Sequence, residues 1–305
     1  MFLGIDTSAY TTSIALIKDE KAILDKRLLL EVPTGGRGLR QSEAVFQHVK
    51  NLITISDELD GYHIDAIGVS SKPTPEENSY MPVFKVGESV AKFNTKLNNI
   101  PIFNLSHQEG HIAAGLWSTK TTKKNILAIH ISGGTTEFLQ VKNEDFKFKI
   151  KLLGNSTDLH AGQFIDRIGV TLGSSFPAGP QMDLWAQRDK YDDVRIPSST
   201  KGNFISFSGP ETFAQKLIKN NYTKESIANA TFICIARSIE KVIRNIYEKN
   251  KYDIILLVGG VARNSIIKKE LTKRLPYQLA FCDEKYSSDN AVGLAFLAEK
   301  YFNQI

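Results

Sequence analysis

The apolar run Phe2-Leu3-Gly4-Ile5 leads through Asp6 and the small, hydroxyl-rich stretch Thr7-Ser8-Ala9-Tyr10-Thr11-Thr12-Ser13 into Ile14-Ala15-Leu16-Ile17, which predicts a β-hairpin. The arrangement recurs later. Ile126-Leu127-Ala128-Ile129-His130-Ile131 is followed by the turn Ser132-Gly133-Gly134-Thr135-Thr136 and by Glu137-Phe138-Leu139-Gln140-Val141, so each half of the chain opens in the same way. Between the hairpins the pattern predicts helices over 42–56 and 83–97 and strands over 65–69 and 100–103. After the second hairpin it predicts helices over 161–172, 181–188, 210–219 and 224–248. A buried-type strand over 254–258 then ends in Gly259-Gly260, and Ser287-Ser288-Asp289-Asn290 opens a last helix to Phe302. Strands alternating with helices predict an α/β fold with a mixed sheet. The polar stretch 118–125 has no apolar residue and sets the expected junction: a first lobe over 1–120, a second over 121–288, and 289–305 crossing back to the first.

A length of 305 residues agrees with two domains. Hydrophobic residues at 42% and charged residues at 23% are those of an ordinary globular protein and exclude disordered, collagenous and coiled-coil rod classes. The apolar runs are too short to span a membrane, and Asp6 interrupts the first of them with no basic segment before it, so neither a membrane span nor a signal peptide is expected. A cytoplasmic protein follows. Two cysteines, Cys234 and Cys282, cannot build a disulfide framework, and Cys234 sits in an apolar helical run as a core residue. The net charge of +5 permits contact with a polyanion without demanding one.

His107-Gln108-Glu109-Gly110-His111 places two imidazoles at i and i+4, on one helical face and close enough to share a metal. Chance supplies roughly 0.12 such pairs in a chain of this histidine content, weighing matches numerically. One capping and one surface histidine is the competing reading. Glu109 is not where an H-E-x-x-H metalloprotease carries its base. A third ligand is needed, and Asp289 is the candidate, although Ser-Ser-Asp-Asn before an apolar helix also reads as a helix cap. Ser132-Gly133-Gly134 would let backbone N–H groups approach a phosphate, or is a plain hairpin turn. Gly259-Gly260 after a buried strand would let a flat adenine or ribose lie against the strand end, or is a plain strand-to-helix turn. Asp166 and Asp183 read as exposed helix carboxylates unless they face the space between the lobes. The sequence holds no Walker P-loop, G-x-G-x-x-G, C-x-x-C or G-x-S-x-G motif, which removes the commonest NTPase, dehydrogenase, thiol-redox and hydrolase classes.

In order along the chain, Leu3-Gly4-Ile5-Asp6-Thr7-Ser8, His107 to His111, Ser132-Gly133-Gly134 and Ala161-Gly162 with Phe164 to Arg167 resemble the motifs of the Gcp/TsaD family. So do Pro177-Ala178-Gly179-Pro180 with Asp183, Ser206-Phe207-Ser208-Gly209, Gly259-Gly260-Val261 with Asn264, and Asp289-Asn290. These are tRNA N6-adenosine threonylcarbamoyltransferases, and the resemblance, that of a divergent paralogue, covers nearly the whole chain. It implies the two-lobed actin-like ATPase fold with a nucleotide cleft between the lobes. It also implies iron or zinc held by His107, His111 and Asp289, and an adenine nucleotide (ATP, AMP or threonylcarbamoyl-AMP) held by Ile131, Ser132, Gly133, Gly134, Thr135, Asp166, Gly179, Asp183 and Asn264, with Gly259 and Gly260 beside it. The implied reaction is acyl transfer from the adenylate to the N6 amine of a tRNA adenosine, with protein partners of a tRNA-modifying complex or a second copy of the chain. A nucleotide-binding scaffold beside a true transferase, or transfer to another acceptor, is the alternative.

The chain departs from the family pattern at several places. An acidic pair usual after Thr7-Ser8 is replaced by Ala9-Tyr10-Thr11-Thr12, and an Ala-Gly-Pro-Gly turn by Ser71-Lys72-Pro73-Thr74-Pro75-Glu76-Glu77. Thr135 stands for a histidine, Glu211 for a lysine, and Leu159-His160 for an acidic and a small residue. The departures fall on the acceptor side of the implied chemistry rather than on the metal and nucleotide motifs.

Overall fold

A computed structural model describes residues 1–8, 10–32, 39–189 and 193–305. Ala9, one of the departures noted above, lies outside the described residues. Strands β1 (Phe2–Ser8), β2 (Thr11–Lys18) and β3 (Lys21–Leu29) are followed by α1 (Gln41–Ser56), β4 (Ala66–Lys72), α2 (Phe84–Asn98), β5 (Ile102–Ser106) and α3 (His107–Ser118). The chain continues through β6 (Asn125–Ile131), β7 (Thr136–Glu144), β8 (Lys147–Asn155), α4 (Ala161–Thr171), α5 (Gly179–Ala186), β9 (Ser199–Lys201) and β10 (Phe204–Ser206). It ends with α6 (Ser208–Lys219), α7 (Lys224–Tyr247), β11 (Ile254–Val258), α8 (Ser265–Arg274), β12 (Leu279–Phe281), α9 (Glu284–Ser287) and α10 (Val292–Phe302).

The described residues pack as two compact units, one comprising Met1–Thr121, Asp145–Phe148 and Lys285–Ile305, the other Thr122–Glu144 and Lys149–Glu284. The sheet of the first has the order β3-β2-β1-β4-β5, with β1–β2 and β2–β3 antiparallel and β1–β4 and β4–β5 parallel. The sheet of the second has the order β12-β11-β6-β7-β8, with β6–β7 antiparallel and β11 parallel to both β6 and β12. Both therefore combine a three-strand meander with two parallel crossover strands. The sequence pattern missed the third strand of each meander, β3 and β8. Each is the edge strand of its sheet and is interrupted by lysines, so neither forms a continuous apolar run. The strands β9, β10 and β12, of three residues each, are too short to carry an alternating pattern.

In the first unit α10 is apolar on every face and buried from Val292 to Glu299, against β1, β4 and α3. Its approach to α3 is backbone to backbone: a Cβ on Gly293 would stand 1.9 Å from the carbonyl oxygen of Gly110. Only glycine allows this spacing, and it draws the segment before α10 onto the histidine-bearing face of α3. In the second unit α7 is the central helix, with Phe232, Cys234, Ile235 and Ile239 in a core shared with Phe138, Phe164 and Phe207. Burial pushes the Cys234 thiol up to about 12, which leaves it a packing group rather than a nucleophile. No described helix is long and apolar enough to cross a membrane.

Candidate metal centre and nucleotide pocket

Helix α3 starts with a capping box. Ser106 Oγ accepts the Glu109 N–H at 3.2 Å, and Glu109 Oε2 accepts the Ser106 N–H at 2.7 Å. Glu109 is thereby a cap, and the first turn needs neither histidine to close it. His107 and His111 turn the same way, with ring centroids 4.5 Å apart at an interplanar angle of 79°. Their Nε2 atoms are 3.1 Å apart, and Asp289 Oδ1 lies 3.3 Å from His111 Nε2 and 3.6 Å from His107 Nε2. The structure thus brings all three candidate ligands together, 178 residues apart in sequence at the widest of the hydrogen-bonded pairs. The helix-cap reading of Asp289 does not hold. Asn290, one residue on, accepts the Val292 N–H at 3.0 Å, so the carboxylate is left to face the imidazoles.

Two imidazole nitrogens and a carboxylate oxygen at these distances call for a positive charge among them. A cation about 2.1 Å from each donor requires donor–donor edges of roughly 3.0 to 3.4 Å, and the observed set matches that span to within a few tenths of an ångström. Nitrogen and carboxylate donors in this ratio suit iron or zinc and leave coordination positions for other groups. The far ring nitrogen of His107, Nδ1, is 3.1 Å from Oδ2 of the fully buried Asp6, which also accepts the hydroxyls of Ser8 (2.6 Å) and Ser70. Burial opposes charge on His107, but the carboxylates of Asp6 and Asp289 outweigh it and raise its pKa to about 10. Burial and the neighbouring His107 charge push His111 down. Burial opposes ionisation of Asp289 as well, yet the hydrogen bonds from the two imidazoles hold its carboxyl far below the usual range. A metal among the three donors would take the place of a proton held there. The sequence reading had no role for Asp6 beyond its motif. A carboxylate at the end of an apolar run was the available signal.

The second unit contains a pocket of about 500 Å³ lined by Ile165, Gly179, Pro180, Asp183, Leu184, Gln187, Gly260, Val261, Arg263, Asn264 and Ser265, among others. Of the candidate nucleotide residues it gathers Gly179, Asp183, Gly260 and Asn264. Asp183 is held from three sides: Oδ1 accepts Asn264 Nδ2 at 2.6 Å and Ser265 Oγ at 3.2 Å, and Oδ2 accepts Gln187 Nε2 at 2.8 Å. Asn264 in turn caps α8, its Oδ1 accepting the N–H groups of Ile266 and Ile267 at 3.1 and 3.0 Å. Gln187, Ser265 and Arg263 were not anticipated, since pocket lining depends on how α5, α8 and β11 pack. Arg263 is also the pocket's basic side chain.

Ile131, Ser132, Gly133, Gly134, Thr135, Asp166 and Gly259 do not line that pocket. Ser132 N–H donates to Thr135 O at 2.8 Å and closes the turn, whose Gly133 and Gly134 face open space. Asp166 is half-buried, accepts the Ala178 N–H at 2.7 Å and fixes the turn before α5; burial pushes its carboxyl up. The two glycines after β11 divide the readings proposed for them. Gly259 has φ +94°, and a Cβ there would meet Ile131 O at 2.3 Å, so it serves backbone packing, whereas Gly260 opens onto the pocket.

Two five-stranded mixed sheets of the same plan, each with helices, define the actin-like ATPase fold shared with sugar kinases. The activator of the 2-hydroxyisocaproyl-CoA dehydratase from Clostridium difficile, solved with bound ADPNP, is similar over 100% of this chain and 97% of its own, with a TM-score of 0.60 and 14% identity. A ROK family glucokinase from Streptomyces griseus, in complex with glucose and AMPPNP, is similar over 98% and 99%, with a TM-score of 0.56 and 10% identity. Within that fold the chain belongs to the TsaD family, tRNA N6-adenosine threonylcarbamoyltransferase, whose signature matches residues 42–296. Relatives bearing that name include one from Nanoarchaeum equitans, 26% identical over 99% of this chain and 94% of its own length. Another, from Mycoplasmopsis synoviae, is 30% identical over 98% and 97%.

Proposed function

We propose that this protein transfers a threonylcarbamoyl or related carbamoyl-type group from an adenylate to the N6 amine of a tRNA adenosine, with iron or zinc at His107, His111 and Asp289. The observation that carries the reading is the convergence of those three donors, in a chain of the TsaD family, at distances a single cation satisfies. In the step itself the amine nitrogen forms a bond to the carbonyl carbon, the bond from that carbon to the phosphate oxygen breaks, AMP leaves, and the amine gives up a proton. A bound metal would polarise the carbonyl and orient the adenylate. Asp6 would keep the His107 ring turned, with Nδ1 toward the carboxylate and Nε2 toward the donor set. Asp183, held by Asn264, Ser265 and Gln187, offers a fixed acceptor for ribose hydroxyls, and Gly260 leaves room beside it. Gly133 and Gly134, whose missing side chains leave open space at the turn that Ser132 N–H closes on Thr135 O, are where a phosphate could approach the backbone.

The second reading, transfer to another acceptor or a nucleotide-binding scaffold for a true transferase, is favoured by Thr135, Glu211 and the Ser71 to Glu77 segment. That segment folds on itself, with Lys72 Nζ donating to the carbonyls of Pro75 and Glu76, and Pro73 O accepts the Gln108 N–H of α3. The test is to incubate metal-loaded protein with threonylcarbamoyl-adenylate and unmodified tRNA, then analyse the nucleosides by mass spectrometry. Threonylcarbamoyladenosine is the expected product. Its absence, with AMP release unchanged from the protein-free control, would overturn the transferase reading.

A further inference from the structure

Asp289 lies on the short segment between α9 (Glu284–Ser287) and α10 (Val292–Phe302). Arg27 of β3 reaches that segment. Its Nη1 donates to Ser288 Oγ at 3.1 Å and its Nη2 to the carbonyl of Lys285 at 2.7 Å. The guanidinium is itself held in place by Asp25, two residues earlier on the same face of β3, with Nε to Oδ1 at 2.8 Å and Nη2 to Oδ2 at 2.6 Å. The Asp25 side chain is only 6% exposed and that of Arg27 20%, so the pair is sheltered from the solvent that weakens surface ion pairs. From the other side Asn290 Nδ2 donates to the carbonyls of Tyr286 and Ser288, both at 2.8 Å. Asp289 is thus suspended between a residue that Arg27 grips and a residue that closes the loop upon itself.

We propose that Arg27, oriented by Asp25, is a positioning residue for the Asp289 carboxylate and so sets how tightly the site retains a metal. The inference rests on the reading of His107, His111 and Asp289 as a metal site. Arg27 contacts none of the three donors. It acts through Ser288, whose backbone precedes Asp289, and through the last turn of α9. A planar fork that serves two acceptors on the segment and two carboxylate oxygens on β3 cannot be replaced by the single ammonium of lysine.

The experiment uses the full chain, stripped of metal and reloaded with cobalt(II) or zinc(II), and measures the dissociation constant by competition with a chromophoric chelator. The cobalt d–d spectrum supplies a second readout, of ligand geometry. Arg27→Met is expected to weaken binding about 10–100-fold, the range for loss of groups that orient metal ligands, with Arg27→Lys restoring only part of it. Ser288→Ala, which removes one contact and leaves the ion pair, is expected to weaken binding less and to shift the spectrum in the same direction. Should Arg27→Met perturb folding, Ser288→Ala decides the matter. His111→Ala serves as the control that removes a donor. If both variants bind within about threefold of wild type with unaltered spectra while His111→Ala loses uptake, the metal site stands and the role of Arg27 is overturned. If wild type itself takes up no metal, the site reading fails and this inference with it.

Discussion

His107 Nδ1 lies 3.1 Å from Oδ2 of Asp6, so the imidazole most exposed of the two on α3 is backed by a carboxylate with no solvent exposure at all. A carboxylate behind one ring nitrogen selects the tautomer that carries its hydrogen there and directs the opposite lone pair toward His111 and Asp289. Asp6→Asn keeps the size of the group and removes its charge. Zinc affinity is expected to fall about 10–100-fold in that variant with the melting transition still cooperative. A chelator competition that finds wild-type affinity would remove Asp6 from the site.

Gly293 is the point at which α10 touches α3, 1.9 Å separating a notional Cβ from the carbonyl oxygen of Gly110. Gly293→Ala must push the helices apart, and overpacking of this kind costs about 1–3 kcal/mol. Because Gly110 lies between His107 and His111, the same displacement carries Asp289 away from the imidazoles. Urea denaturation should show the lost stability and metal titration a weaker site. A variant of unchanged stability would show that the contact is easily relieved.

The adjacent glycines after β11 should respond in opposite ways. Gly259→Ala places a side chain at φ +94° against Ile131 O, and is expected to lose more than about 1 kcal/mol of stability. Gly260→Ala has open space for its methyl and should fold normally, while weakening adenine-nucleotide binding in the pocket beside Asp183. Calorimetric titration with AMP and ADP, set beside denaturation curves, separates the two effects. Equal nucleotide affinity in Gly260→Ala and wild type would take the ligand away from that wall.

Asp158 caps the start of α6 from a distance. Its carboxylate accepts Ser206 Oγ at 2.6 Å and the Phe207 N–H at 2.8 Å. Burial works against the charge, but these hydrogen bonds prevail and lower its pKa to about 2. A carboxyl depressed in the folded state stabilises the fold above the unfolded value of about 3.9, and that contribution is lost as pH falls from there toward 2. Asp158→Asn should therefore be less stable than wild type by about 1 kcal/mol at pH 6, as for loss of a helix cap, and the gap should narrow as pH falls toward 2. A gap that persists unchanged at pH 2 would show that charge plays no part.

The local pattern of the sequence determined much of the secondary structure. Buried strands such as 254–258 and amphipathic helices such as 224–248 are dictated by residues within a few turns of one another, and the ranges read from the sequence agree with β11 and α7. The i, i+4 spacing likewise put His107 and His111 on one face of one helix, since 3.6 residues per turn leaves no other outcome. The edge strands β3 and β8 escaped, because an edge needs no continuous apolar run and lysine is what protects it.

Tertiary packing decided the rest. Asp289 reads locally as a helix cap, and it is tertiary packing, the glycine contact between α10 and α3 included, that turns its carboxylate toward two imidazoles far away in sequence, leaving the capping to Asn290. Packing also assigned different work to Gly259 and Gly260, which local pattern treats alike, and gave Asp6 and Arg27 their neighbours. The physical reason is one of range. Periodicity and turn chemistry act over a few residues, whereas the charge, burial and hydrogen bonding of these side chains are set by groups that approach only when the sheets and helices close around them.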